Sequence, residues 1–160
     1  MRVGVLSDTH SKKLPQQLLE DFLKFDLIIH AGDFCCPEDL QHLKKIVRVE
    51  AVHGNMDTPE LSRQLPRRKI ITCGNFHVGI FHGEGAPGTL MPRVKAEFAK
   101  DKVAVVIFGH SHQPLNERIG DVLYFNPGSP TDGIFAPYRS YGILDFTEKG
   151  VVGHIEKVKD

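Results

Sequence analysis

The stretch "VAVVIFGHSHQP", Val103 to Pro114, joins an unbroken apolar run to two histidines two residues apart. A continuous apolar run of this length suits a strand buried on both faces, with other layers packed above and below it. On a regular strand, side chains at i and i+2 share a face, so His110 and His112 are placed to converge on one target. Upstream, "RVGVL" and "LIIHA" have strand length and flank "LPQQLLEDFLKF", where Leu14, Leu18, Leu19, Phe22 and Leu23 recur at helical spacing. That is a β-α-β unit. A second helical pattern, "PEDLQHLKKI", leads into "VRVEAVHG", a third strand that extends the parallel arrangement. Beyond Pro66 the run "RRKIITCGNFHVGIFHG" reads as a hairpin turning at Cys73-Gly74-Asn75. The helix "MPRVKAEFAK" precedes the opening stretch, and "LNERI", "VLYFN", "RSYGILDFT" and "GVVGHIEKV" follow it as a mainly antiparallel run. The order predicts an α/β fold, with one mixed sheet or two packed sheets flanked by helices, in a single domain over residues 1–160.

Composition removes several classes of function. With 160 residues and 41% apolar content, the chain can bury an ordinary core without staples. Twenty basic and twenty acidic residues cancel, which supplies no electrostatic footprint for a nucleic-acid backbone or an anionic membrane. No apolar run approaches transmembrane length, and the N-terminal "MRVGVLSDTH" reads as a first strand rather than a signal peptide. Cys35, Cys36 and Cys73 make an odd count, with two adjacent rather than spaced as C-x-x-C, so structural thiols in a reducing cytoplasm are expected. Exposed apolar strands near the C-terminus leave room for a homo-oligomer.

The polar residues that interrupt this pattern fall just beyond the ends of apolar runs. Asp8 and His10 follow the first strand in "SDTH", Asp33 the second in "HAGDF", and Asn55 the third in "HGNMD". His82 follows "HVGIF", and His110 and His112 follow "VAVVIFG". In an open parallel sheet the carboxyl ends of strands share an edge, and ligands bind in the crevice outside it. Two carboxylates, one amide oxygen and four imidazoles suit transition ions better than Mg or Ca alone. Seven ligands exceed what one such ion takes. Two ions about 3.5–4 Å apart, sharing the carboxylate of Asp33, would accommodate them all.

Taken in order, "SDTH", "AGD", "GNMD", "FHGEG" and "FGHSH" resemble the calcineurin-like metallophosphoesterase superfamily, most closely its compact bacterial and archaeal phosphodiesterase branch. The resemblance spans nearly the whole chain. It implies a four-layer sandwich of two mixed β-sheets flanked by α-helices, with a metal site at the carboxyl ends of the strands. It implies one ion held by Asp8, His10, Asp33 and His112, and another by Asp33, Asn55, His82 and His110, with Asn55 also facing substrate. The cofactors would be two divalent transition-metal ions per chain, Mn2+ first, with Ni2+, Zn2+, Fe2+ or Co2+ as alternatives. The substrate would be a small phosphate ester, most simply a diester, attacked by a hydroxide bridging the two ions, with no serine or cysteine nucleophile. A phosphomonoesterase or nucleotide pyrophosphatase on the same centre is the alternative within enzymes. A weakly catalytic scaffold like the retromer subunit of this fold is the alternative outside them.

The sequence departs from the family pattern at Met56. Many members carry histidine there, and a thioether cannot donate a proton to a leaving group. Esters with good leaving groups, such as aryl phosphodiesters, should therefore be favoured over alkyl monoesters. Asp57 would orient the missing histidine and is expected to have lost that role. Thr58-Pro59-Glu60 reads as a helix N-cap followed by proline at the first helical position. His30 and His53 are read as packed or supporting a ligand, and His42, His77 and His154 as surface or structural. "NPGSP", Asn126 to Pro130, is read as a turn at the rim of the site. Arg67, Arg68 and Lys69 form a basic cluster that is by default a solvated loop and could attract phosphate, and Arg93 and Arg139 are other candidate anion anchors.

Overall fold

The computed structural model describes residues Met1 to Lys159. Strand β1 (Arg2–Leu6) alternates in the manner a sandwich requires. Val3 and Val5 enter the core between two sheets, while Leu6 enters a second core beneath helices. It pairs in parallel with β2 (Leu27–His30), which pairs in parallel with β3 (Val49–Ala51). The connections are right for that direction: α1 (Gln16–Phe22) and α2 (Pro37–Lys44) fill them, and α3 (Pro59–Gln64) follows β3. Thr58 caps α3, its side chain accepting the Leu61 N–H, with Pro59 in the first turn as the sequence predicts.

A second sheet begins with the hairpin of β4 (Arg68–Cys73) and β5 (Phe76–Phe81), turning at Gly74 with φ 57°. After α4 (Pro87–Glu97), β6 (Val105–Ile107) lies parallel to β5. Strands β7 (Leu115–Ile119) and β8 (Val122–Asn126) form the next hairpin, and β9 (Ser140–Thr147) and β10 (Gly150–Lys157) the last. The first sheet runs β10-β9-β1-β2-β3 and the second β4-β5-β6-β8-β7. Strand β8 pairs in parallel with β6, so the C-terminal run is less antiparallel than its hairpins suggest.

Three apolar clusters make the layers. Val3, Val5, Leu27, Ile29 and Val52 of the first sheet face Val78, Ile80, Val105, Ile107 and Phe125 of the second. Ile28 and Leu6 pack under Leu18, Phe22, Leu40 and Leu61 of α1 to α3. Val106 and Phe108 pack under Val94 and Phe98 beside α4. The opening apolar run thus sends alternate residues into two cores, which is why it lacks polar interruptions. Two mixed five-stranded sheets flanked by helices are the architecture expected. Two helices differ in extent. Helix α1 ends at Phe22, leaving Leu23 79% exposed although it fits the helical spacing. Helix α4 begins at Pro87, before "MPRVKAEFAK", and carries Pro92 inside it.

Candidate metal centre

Each sheet contributes a parallel trio, β1-β2-β3 and β5-β6-β8, and their carboxyl ends open on the same cleft. Beyond β1 and β2 the chain continues side by side, with Asp8 N–H donating to Gly32 C=O (3.0 Å) and His10 N–H to Asp33 C=O (3.0 Å). The loops are tightly bent. Seven non-glycine residues have positive φ among the described residues, and five of them are Asp8, His10, Asp33, His110 and His112. Such backbone strain is held only where surroundings over-determine it, and it gathers at functional sites. Neighbouring glycines let the loops approach. A Cβ on Gly54 would overlap the Asp33 carboxylate, and one on Gly109 would overlap Ser7 and lie 2.7 Å from Asp8 Oδ2.

The two carboxylates are used alike. Asp8 Oδ2 accepts the His110 N–H (3.1 Å) and Asp33 Oδ1 accepts the Met56 N–H (2.8 Å). Each turns its other oxygen toward imidazole nitrogens. Asp8 Oδ1 is fully buried with no hydrogen-bond partner. Around it stand His112 Nε2 at 3.3 Å, and His10 Nε2 and His82 Nε2 at 3.9 Å. Asp33 Oδ2 lies 3.3 Å from His82 Nε2.

Three imidazoles have their far nitrogen tied to an acceptor. His82 Nδ1–H donates to Ala31 C=O (2.7 Å), His110 Nε2–H to Gly85 C=O (2.9 Å), and His112 Nδ1–H to Asp132 Oδ2 (2.5 Å). Their near nitrogens therefore aim lone pairs at oxygens. His82 Nε2 is 3.1 Å and His110 Nδ1 3.0 Å from Asn55 Oδ1. At the carboxylates, where His82 Nε2 faces Asp33 Oδ2 and His112 Nε2 faces Asp8 Oδ1, lone pairs facing lone pairs at this range require a cation between them, either a proton or a metal ion. The donor set passes that test for divalent ions. Asp8 with His10 and His112, and Asp8 with Asp33 and His82, each bring ligand atoms within 4.8 Å of one another. By distance the carboxylate common to both groups is Asp8, whereas sequence reasoning gave the shared role to Asp33. His110 stands beside Asn55 and His112 beside Asp8, so the two histidines of "GHSH" face different neighbours.

The electrostatics follow from this crowding. The Asp8 carboxylate beside His112, outweighing partial burial and aided by Asp132, pushes His112 up to about 9. Burial opposes charge on His82, but Asp33 and Asp8 outweigh it and raise that group too. Burial would raise Asp132, yet His112 and the N–H groups of Ile134 and Phe135 hold it near 2. His30, fully buried, is pushed down to about 3 by desolvation. Gly32 N–H donates to its Nδ1 (3.2 Å), so the neutral ring carries its proton on Nε2 and donates to Thr9 Oγ1 (3.0 Å). The ring also stacks on Phe34 at 3.5 Å and fixes the segment between Asp8 and His10 from below.

Asp132 was not foreseen, and the roles of several other residues around the centre differ from those the sequence suggested. Asp132 follows a turn and has no motif spacing to announce it. Asp57 keeps a structural task without the missing histidine: it accepts the N–H groups of Asp33 (2.9 Å), Cys35 (2.7 Å) and Gly54 (2.7 Å). Asn126 and Ser129 are fully buried and stitch loops together rather than lying open to substrate. Asn126 Nδ2 donates to Gly109 C=O (3.0 Å), and Ser129 Oγ donates to Asp8 C=O (2.8 Å). Arg67 and Arg68 pair with Glu97, and Lys69 with Glu50, which removes that cluster from the site. Arg93 pairs with Glu84.

Residues 1–149 match the model of the calcineurin-like phosphoesterase superfamily domain. The chain belongs to that superfamily. Among its relatives, a probable metallophosphoesterase of Methanothermobacter thermautotrophicus is 36% identical over 135 residues, covering 82% of this chain and 78% of that protein. A phosphodiesterase of Methanocaldococcus jannaschii is 29% identical over 165 residues, covering 93% and 95%. A mutant Vps29 from Entamoeba histolytica superposes with a TM-score of 0.79 at 22% identity, covering 99% of this chain and all (100%) of that one, a likeness of fold alone. By descent the chain is related to metallophosphoesterases, and no helix among its described residues is long and apolar enough to cross a membrane.

Proposed function

We propose that this chain is a phosphodiesterase working with two divalent ions, manganese first among them, in one domain over residues 1–160. The observation that carries the reading is the set of three anchored imidazoles whose free lone pairs face Asp8, Asp33 and Asn55 oxygens. One ion would be held by Asp8, His10, Asp33 and His112, the other by Asp33, Asn55, His82 and His110. When bound, such a pair would supply Lewis acidity toward phosphoryl oxygens and would lower the pKa of a coordinated water. The protein's own part is positioning. Asp132, Ala31 and Gly85 fix which ring nitrogen of each histidine is available, and the glycine-relieved loops hold the carboxylates. In hydrolysis the water gives up a proton to solvent as its oxygen bonds to phosphorus, one ester P–O bond breaks, and the departing oxygen leaves with the electron pair as an anion that takes its proton from solvent. Met56 stands 58% exposed where an acid would protonate that oxygen, and it has no proton to give. Leaving groups stable as anions are therefore preferred. The three free thiols fit a reducing cytoplasm.

The test is metal-stripped protein reconstituted with Mn, Ni, Zn or Mg and assayed on p-nitrophenyl phosphate and its bis ester. The bis ester should be cleaved faster at every active metal. A much faster monoester would overturn the diesterase assignment.

A further inference from the structure

The cleft over the centre has a volume of about 420 Å³, and its mouth carries Met56, Ile134 and Phe135. These are 58%, 81% and 75% exposed, and they are three of the seven large apolar residues exposed among the described residues. Scattered apolar residues need no explanation, but three gathered on one polar cleft do. They are also held in place. Asp132 Oδ1 accepts the N–H groups of Ile134 (2.8 Å) and Phe135 (3.2 Å), and its Oδ2 accepts that of Ala136 (3.2 Å). Gln113 Nε2–H donates to Phe135 C=O from the other side (3.0 Å). Across the cleft, Met56 is fixed by its N–H on Asp33. Rigid presentation of apolar side chains to water is costly unless something covers them.

Charge says what that something is. Lys12 is the one Lys or Arg side chain lining this cleft, and no carboxylate lies within ion-pair reach of it among the described residues. A single lysine beside an apolar rim suits a monoanion bearing a flat apolar group. Position adds to charge: His10, Asp33, Asn55, His110 and His112 line the same cleft as the rim, so an ester whose phosphoryl group sits among them lays an organic arm across Met56, Ile134 and Phe135.

We infer that the rim of Met56, Ile134 and Phe135 binds an aromatic arm of a phosphodiester while Lys12 faces its single charge. The inference rests on the phosphoesterase reading and adds the residues that recognise the ester's aryl arm by binding rather than by leaving-group chemistry. Phe135 supplies a ring for stacking, and Ile134 and Met56 line the same cleft with apolar surface. Asp132 joins recognition to the centre, because the carboxylate that holds this loop also holds His112.

The experiment uses two monoanions with an uncleavable P–C bond, monomethyl phenylphosphonate and monomethyl methylphosphonate, titrated calorimetrically into the metal-loaded full chain. Wild type should bind the phenyl compound about tenfold more tightly. Phe135→Ala should remove that preference and leave methylphosphonate affinity within about twofold. Lys12→Gln should weaken both by a similar factor. Both substitutions fall on exposed side chains, so circular dichroism should be unchanged. Equal affinity of wild type for the two probes would overturn the inference and hand the rim to a protein partner. So would a phenyl preference that survives Phe135→Ala. An effect of Lys12→Gln confined to the phenyl probe would overturn the role of the lysine. Hydrolysis of diesters without an aryl preference leaves the phosphoesterase reading standing while this one fails. An aryl preference in a protein that cleaves no ester does the reverse.

Discussion

The first sheet ends in oxygen and the second in nitrogen. Asp8, Asp33 and Asn55 follow β1, β2 and β3, while His82, His110 and His112 follow β5 and β6. His10 is the one proposed imidazole ligand from the oxygen side, and it sits 3.3 Å from His112 across the gap. Neither sheet alone offers a complete site. Carboxylates gathered without counter-charge repel, and imidazoles gathered without anions have no reason to be charged. Facing one another, they raise His82 and His112 and leave Asp8 Oδ1 buried without a hydrogen-bond partner. The site is therefore a property of the sandwich, in which the inner core of Val5, Ile29, Ile80 and Ile107 sets how near the two edges come.

Removing the charge of one oxygen ligand should have the largest effect. Asp33→Asn keeps an acceptor for the Met56 N–H and a residue that tolerates φ 61°, so the fold should survive. Phosphoesterase activity should fall about a thousandfold or more. The same change at Asp8 asks which carboxylate is shared, because by distance Asp8 belongs to both ligand groups. Activity of Asp33→Asn close to that of wild type would break the two-sheet account.

Next comes the nitrogen side at one remove. Asp132→Asn leaves an oxygen for the Ile134 and Phe135 N–H groups but removes the charge on His112 Nδ1–H. Metal affinity should weaken about tenfold to a hundredfold by calorimetry, as is typical when a ligand histidine loses its carboxylate partner. Unchanged affinity would show that His112 does not depend on that partner.

The smallest effect is on stability against pH in metal-stripped protein. His112 titrates near 9 in the fold against an ordinary value of 6.5. Its contribution is thus complete below about pH 6.5 and is lost as pH rises through about 9. The melting temperature should drift down across that window, less so in Asp132→Asn. His30 acts at the other end with the opposite sign. Held near 3, it favours the fold less as pH falls from 6.5, because only the unfolded chain takes up that proton. A melting temperature flat from pH 6.5 to 9.5 would contradict the His112 environment.

Much of this was legible in the sequence because strand ends and ligand types coincide. The alternation that sends Val105 and Ile107 inward and Val106 and Phe108 outward leaves an unbroken apolar run, and the chain turns polar where burial ends. The supporting shell was not legible. Asp132 reaches His112 from 20 residues away through a turn, and Asp57 holds backbone N–H groups that no side-chain pattern records. "NPGSP" was legible as a turn holding the rim of the site, but not that Asn126 and Ser129 hold it as fully buried staples to the Gly109 and Asp8 carbonyls. Arg67 and Arg68 looked like anion anchors because their partner, Glu97, lies on a helix far along the chain. Spacing reports which residues leave a strand together, and it does not report what meets them from another sheet.

The most direct test of the central claim is the number of metal ions bound. Protein dialysed against Mn2+ and analysed for metal and amino acids should hold two ions per chain, with the crystal showing one anomalous peak beside His10 and His112 and another beside His82 and His110. A single ion per chain at saturation, or none, would contradict the account.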